Sequence, residues 1–447
     1  MCLSSQVQPS TSRTSDGGKR KHDDPEPPLN KRKRRRNKRK LDSKLNEVKM
    51  IMSHVDNKLS EICEQCDDDN DNNKKVIDFL RELMQNLNKE KKELVGVFGK
   101  TGAGKSSLIN AVIGEEDLLP TGTSRACTSV IIKVEGNTEN QKYVAIVEFI
   151  SREELEDLLL STKHLFVTSS GKKEKVDAES KDNSDRMTAL FGNDWRDVPY
   201  ETFMCGEKYR KMSTSIKKTQ RFQCDSSSTL SQKLVDFTKN IRNPSSPLYW
   251  PVVKCVTIKV PNNHLLNHVT LVDLPGTGDR NKTRKDMWKE MLSSCGTVWI
   301  VTDMTRPESD EEPWKILQSA CSIMGNGGEC RNIRFICTKA DQCLDELSPE
   351  DTKAGIIQEF QAEFQNHFPE DGFKVSIVST KEEIMPPEKN EISDLEEFLE
   401  SLNNPEERVQ RYVSDAYGIL ALMMGARSQN VSQTLISKWR KTPMSLH

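Results

Sequence analysis

Short apolar runs bounded by turn residues recur through the middle of the chain. Leu94-Val95-Gly96-Val97-Phe98 is one, Val269-Thr270-Leu271-Val272 another, and Ile333 to Cys337 and Val375 to Val378 follow. Unbroken runs of this kind predict strands buried on both faces, as in a parallel sheet. Ser107 to Ile113, directly after the first run, reads as a helix. On either side the period changes. Leu45, Val48, Met52, Val55, Leu59 and Ile62 alternate spacings of three and four, which predicts a helix over 41–66 with one apolar seam. A polar break from Asp67 to Asn73 follows, and Val76, Leu80, Leu83 and Leu87 resume the pattern. The two helices form either a hairpin or a pair of seams packed on the sheet. Pro405 suits a first helical turn, and Val409, Val413, Ala416, Leu420 and Met423 mark a seam over 405–440.

The expected organisation is a disordered tail over 1–40, a helical hairpin over 41–92, an α/β domain over 93–400 and a C-terminal helical segment over 401–447. The α/β domain should hold a mostly parallel sheet with helices on both faces. It carries an insertion over 150–250. Within that insertion Arg152 to Leu160 looks helical, and Ser169 to Ser184 is Ser-, Lys- and Asp-rich, as in a flexible loop. Phe191, Trp195, Tyr200 and Phe203 supply apolar anchors. The insertion either recognises a partner or packs on the rim of the core.

Charge sharpens this picture. The 447 residues carry a formal net charge of −2, but Lys31 to Lys40 alone holds nine positive charges, which leaves −11 on the remainder. A block this dense suits a nuclear import receptor, with Gly18-Lys19-Arg20-Lys21 as a second arm. Nucleic acid or anionic lipid would be drawn by the same residues. No apolar run approaches the ~20 residues of a membrane span, and the N-terminus starts no secretory signal. Twelve scattered Cys imply free thiols in a reducing compartment. The lone Cys63-Glu64-Gln65-Cys66 lacks a second pair at zinc spacing. The Asp67, Asp69, Asp71 run has Asn72 and Asp78 where a calcium loop needs Gly and Glu.

The candidate chemistry begins at Gly99-Lys100-Thr101-Gly102-Ala103-Gly104-Lys105-Ser106, which fits G-x-x-x-x-G-K-[ST] between a strand and a helix. Glycines let backbone N–H groups approach phosphate oxygens, and the helix N-terminus adds a favourable dipole. Gly99 to Ser106, with Ser107, are therefore the expected phosphate contacts. Lys105 would reach the β- and γ-phosphates and the Ser106 hydroxyl Mg²⁺. Asp273-Leu274-Pro275-Gly276 follows a second strand: Asp273 is placed for Mg²⁺ and the Gly276 amide for a γ-phosphate. Thr338-Lys339-Ala340-Asp341 ends a third strand. The Asp341 carboxylate can accept from guanine N1–H and N2–H₂, a donor pair that adenine lacks, and the Lys339 stem can lie along the base. A last strand ends at Ser379-Thr380-Lys381, a turn that could touch guanine O6.

These motifs in this order resemble the GTPase superfamily, and the stretch from Asp117 to Val134 together with Val269 to Gly278 is similar to the dynamin-like group. With the basic tail and the long segment from Thr128 to Asp273, the chain looks most like its nuclear, germinal-centre-associated type. The resemblance implies Mg²⁺ and GTP as cofactor and substrate, hydrolysis to GDP, head-to-head dimerisation, and helices before and after the GTPase domain that bundle together. It makes Thr128 the switch threonine that completes the Mg²⁺ shell, with Thr121 and Thr123 as alternatives, and Lys105 and Thr128 the catalytic pair. Lys100 and Thr101 stand where conventional dynamins orient water and stabilise charge, and Thr277 where Ras-like enzymes place a glutamine. Members of the group extend further, so the resemblance implies a short form. A low-turnover GTP-loaded scaffold and an immunity-related, membrane-associated GTPase are the alternatives.

Overall fold

The computed structural model describes residues 28–64, 71–88, 92–121, 130–169, 178–216, 219–238, 249–276, 282–305, 307, 310–325, 330–343, 348–364, 372–381, 385 and 389–428. In chain order the elements are α1 (Pro28–Glu64), α2 (Asp71–Asn88), β1 (Glu93–Gly99), α3 (Lys105–Val112), β2 (Ile131–Asn137) and β3 (Tyr143–Phe149). Then come α4 (Arg152–Ser169), α5 (Ala178–Phe191), α6 (Tyr200–Cys205), α7 (Glu207–Ser215), β4 (Gln220–Cys224), α8 (Ser227–Thr238), β5 (Val253–Pro261) and β6 (Val269–Asp273). The chain continues through α9 (Lys282–Ser294), β7 (Thr297–Asp303), α10 (Glu311–Gly325), β8 (Asn332–Thr338), α11 (Pro349–Phe364), β9 (Phe373–Ile377), α12 (Ile392–Asn403) and α13 (Pro405–Ser428).

Contacts divide the chain into two units, Gln85–Arg411 and Met1–Met84 with Tyr412–His447. The larger holds a nine-stranded sheet in the order β4-β3-β5-β2-β6-β1-β7-β8-β9. The run β6-β1-β7-β8-β9 is parallel throughout. Its strand tips, Asp273, Gly99, Asp303, Thr338 and Ile377, therefore share one edge. These strands are apolar on both faces because helices cover both: Val95, Val97 and Phe98 of β1, Leu271 and Val272 of β6, and Val298 to Val301 of β7 are all fully buried. Beyond β6 the sheet turns mixed. β2 runs antiparallel to β6 and parallel to β5, and β3 is antiparallel to both β5 and β4.

The insertion is more ordered than its composition suggests. Its Gln220–Cys224 stretch is an edge strand of the sheet. Ala178 to Ser184, expected within a flexible loop, opens helix α5. The polar composition misleads because that helix buries only one side: Met187, Leu190 and Phe191 pack with Trp195, Phe203 and Leu155 into a separate apolar cluster. Phe191 and Phe203 meet edge-on at 4.6 Å, and Trp195 Nε1 donates to Thr188 Oγ1 at 3.1 Å. Full burial of side chains of this size contributes about 1.5–3 kcal/mol each.

In the smaller unit α1 begins at Pro28, not at 41, and takes in Lys31 to Lys40. Lys and Arg are good helix formers and Pro28 sits at a first turn, so nothing local breaks the helix. Met52, Val55 and Leu59 are buried as the seam requires. In α2 the buried face is Ile77, Leu80 and Met84, while Val76 is 36% exposed. The seam is thus turned by one residue from the expected one. Among the described side chains, Ala416 and Ile419 of α13 are buried in this unit, and the Lys49 ammonium lies 5.7 Å from the centre of the Tyr412 ring. Residues 1–27 and 429–447, Cys66 and the acidic turn after it lie outside the described residues. Among the described residues no helix is long and apolar enough to cross a membrane.

Candidate functional site

β1 delivers Gly99 to the sheet edge, and the loop that follows needs glycine for two different reasons. An ideal Cβ on Gly99 would lie 2.1 Å from the Val301 carbonyl oxygen of β7, so the strand cannot pass a side chain there. Gly99, Gly102 and Gly104 also all take positive-φ backbone that favours glycine, with φ of 148°, 82° and 90°. Gly104 then starts α3, accepting from Leu108 N at 2.8 Å. Lys105 is only 7% exposed. Its ammonium folds back over the loop, donating to Gly99 O at 2.9 Å and Lys100 O at 3.0 Å. Ser107 lies in the same first turn, partly buried.

Two contacts tie this loop to β6. Ser106 Oγ donates to Asp273 Oδ2 at 2.6 Å, and Asp273 is fully buried. A short hydroxyl-to-carboxylate bond of this kind is charge-assisted. A Cβ on Gly276 would sit 2.1 Å from Thr101 Oγ1 and 2.5 Å from Thr101 N, so the turn after β6 lies against the loop backbone. The paired hydroxyl and carboxylate form a hard oxygen donor set of the type Mg²⁺ takes. Ser106 and Asp273 therefore fit that ion.

The tip of β8 continues the same edge. Thr338 Oγ1 lies 2.6 Å from Ala103 O and 3.0 Å from Thr302 O, which ties the glycine loop to β7 and β8. Lys339 adopts φ 59°, and its ammonium contacts Asp303 Oδ2 at 2.6 Å. Burial opposes ionisation of Asp303, but Lys339 and the amide and hydroxyl of Thr305 outweigh it and hold the carboxyl below its ordinary range. Asp341 is nearly buried: its side chain is 5% exposed. It accepts from Ser379 Oγ at 2.9 Å and faces Lys381 Nζ at 3.3 Å.

The expected residues from Gly99 to Ser107, Asp273, Gly276, Thr338, Lys339, Asp341 and Ser379 thus line one sheet edge. Thr128, Thr123 and Thr277 lie outside the described residues, whereas Thr121 is described and exposed. Lys100 pairs with Asp310 at 3.3 Å. Four participants escaped the sequence reading: Asp303 beneath Lys339, Asp310 beside Lys100, and Asn390 and Glu391, which bond to Ser379 and to Ile377 at the end of β9. Asp303 was findable as the polar end of an apolar run. Asn390 and Glu391 sit in a polar stretch with no period to flag them.

The dynamin family's sequence profile matches residues 95–322, which include the glycine loop and Asp273 to Gly276. Among curated proteins, human nuclear GTPase SLIP-GC is 29% identical over 377 residues, covering 73% of this chain and 46% of that protein. The mouse protein of the same name is 27% identical over 376 residues, with the same coverage. The chain spans about half the length of the curated relatives it matches. Among solved structures, an oligomerised bacterial dynamin pair, described as sensing and tethering membranes over long range, aligns at TM-score 0.43 and 14% identity. That alignment covers 89% of this chain and 59% of the other. The bacterial selenocysteine-specific elongation factor EF-Sec aligns at TM-score 0.28 and 12% identity, covering 70% of this chain and 28% of its own. The profile match takes in just over half of the sequence: the chain belongs to the dynamin family.

Proposed function

We propose that this chain binds Mg²⁺·GTP at the edge formed by β6, β1, β7, β8 and β9 and hydrolyses it to GDP and phosphate. The observation that carries this is the alignment of five parallel strand tips, with Lys105, Asp273 and Asp341 all on one edge. Gly99 to Ser107 supply backbone amides and a helix N-terminus for the phosphates. Lys105 exchanges two carbonyl partners for phosphate oxygens, a stronger charge-assisted contact. Ser106 and Asp273 hold Mg²⁺, with Thr128 completing the set. Mg²⁺, when bound, would neutralise charge developing on the phosphates. The Gly276 amide senses the γ-phosphate. Asp341 reads the guanine edge, Thr338 and Lys339 set its loop, and Ser379 orients it. Catalysis rests on positioning and charge neutralisation, and a head-to-head homodimer completes the site.

The relatives named as nuclear GTPases and the basic run of α1 support a nuclear location. The import receptor binds Lys31 to Lys40, and the same residues are open to nucleic acid. A role in nuclear DNA metabolism or genome integrity accords with this placement. Deleting residues 31–40 should abolish nuclear accumulation; unchanged location would remove that part of the proposal. The helices α1, α2 and α13 form a bundle that relays the nucleotide state, supported by Lys49 over Tyr412. Cross-links that never join 41–88 to 412–428 would count against it.

A second reading is favoured by Lys100, engaged by Asp310, and Thr101, packed against Gly276. With both so held, the chain acts as a low-turnover GTP-loaded scaffold. Single-turnover phosphate release at rising protein concentration separates the two. Release that accelerates with concentration supports a dimer-completed GTPase; negligible release at every concentration supports the scaffold.

A further inference from the structure

Among the described residues β9 is the last strand of the sheet, and no described strand pairs with its outer backbone groups. Two consecutive side chains ahead of α12 take that place. Glu391 Oε2 accepts from Ile377 N at 2.7 Å, and Glu391 N donates to Ile377 O at 3.2 Å. Two residues on, Asn390 engages Ser379 from both sides: Oδ1 accepts from Ser379 N at 3.1 Å and Nδ2 donates to Ser379 O at 2.9 Å. Ile377 and Ser379 are the alternate positions at which an edge strand turns N–H and C=O outward. Glu391 is itself held by an ion pair with Lys353.

Ser379 is fully buried, and its hydroxyl is the donor to Asp341 Oδ1 at 2.9 Å. An amide side chain that grips both backbone groups of one residue fixes that residue's position in the sheet plane. A carboxylate reads two adjacent donors only if it lies in their plane. Asn390 thus bears on Asp341 Oδ1 through Ser379, while Lys381 faces Oδ2 at 3.3 Å. We propose that Asn390 is a positioning residue for guanine recognition, acting on Asp341 through Ser379. This rests on the reading of Asp341 as the base reader.

Inosine nucleotides isolate the effect, because hypoxanthine keeps N1–H and lacks the 2-amino group. Affinities of the full chain for GDP and IDP, measured by equilibrium dialysis, give the ratio that reports Asp341 orientation. In Asn390→Ala, GDP affinity is expected to fall about tenfold while IDP affinity stays within about twofold, so the preference collapses. Asn390→Asp retains the acceptor for Ser379 N–H and loses the donor; it should fall between wild type and alanine, and it is the variant to read if the alanine protein does not fold. Adding Ser379→Ala to either variant should lower the ratio no further, because both act on one carboxylate. Equal losses for GDP and IDP would mean mere loosening of the edge and would overturn the proposal. Multiplying effects of Asn390 and Ser379 would overturn it too. A wild-type chain that binds GDP no better than ADP would instead remove the base-reader assignment, and this proposal with it.

Discussion

The Ser106 hydroxyl sits 2.6 Å from Asp273 Oδ2, joining residues 167 positions apart at the head of α3 and the tip of β6. Asp273 is fully buried, so the donor offsets part of the cost of desolvating a carboxylate. Ser106→Ala should cost about 1–3 kcal/mol of unfolding free energy in urea, the penalty for depriving a buried acceptor. It should also uncouple nucleotide affinity from Mg²⁺. Chelation with EDTA should weaken GTP binding to the wild type and leave the variant unchanged. A variant that still responds to EDTA as the wild type does would show that Ser106 holds no Mg²⁺.

The loop glycines are expected to differ in their tolerance. A Cβ on Gly99 would meet the Val301 carbonyl oxygen at 2.1 Å, a backbone atom that cannot swing aside. A Cβ on Gly102 meets nothing within 4 Å, although φ there is +82°. Gly102→Ala should cost only left-handed strain, about 1–2 kcal/mol. Gly99→Ala should cost at least about 3 kcal/mol, because β1 and β7 must separate. Thermal unfolding of the two variants side by side checks the order; equal losses would contradict the packing of β1 against β7.

Asp341→Asn should convert base preference. The carboxamide can donate to the xanthine O2, where the carboxylate could only accept from the guanine amine. Competition between GTP and XTP for the variant should favour XTP, reversing the wild-type order by about a hundredfold or more. Unaltered preference would take Asp341 out of the base site.

Buried thiols give a test of the fold that is independent of nucleotide. Burial raises the Cys255 thiol to about 11, and Cys321, Cys330 and Cys337 to about 12. Their protonated form is thus favoured in the native state. It contributes stability below the unfolded value, near 9.0, that is lost as pH rises toward 12. At pH 8 few of these thiols are ionised, and the thiolate is the reactive form. Iodoacetamide at pH 8 should therefore label exposed Cys205 first among the described cysteines. Cys255, Cys321, Cys330 and Cys337, four of the seven buried cysteines among the described residues, should react only in denaturant or as pH approaches 11. Peptide mass spectrometry reads the order directly, and early labelling of Cys337 would contradict a closed β8.

The strands of the parallel half were legible because burial on both faces writes unbroken apolar runs, as in Val269 to Val272 and Ile333 to Cys337. The glycine loop was legible because its chemistry demands fixed spacing. The β4 edge of the sheet was not. Gln220 to Cys224 is a half-exposed edge strand whose side chains carry little apolar signal. Helix α5 hid behind Ser, Lys and Asp because its buried apolar residues, Met187, Leu190 and Phe191, come only near its end, and the buried Asn183 and Ser184 before them are polar. In α2 the choice between Val76 and Ile77 as the inner residue turns on packing, which periodicity leaves open by one step. Asn390 and Glu391 were invisible for a plainer reason: side chains that replace a missing strand obey tertiary geometry and no local period.

Lys105, Asp273 and Asp341 should serve one pocket that grips a triphosphate and admits guanine. Isothermal titration calorimetry of the full chain in magnesium, with GTP and ATP in parallel, tests it most directly. One GTP should bind per chain, with at least about a hundredfold preference over ATP, as unpaired polar groups against the wrong base require. No heat with GTP, or equal affinity for ATP, would contradict it.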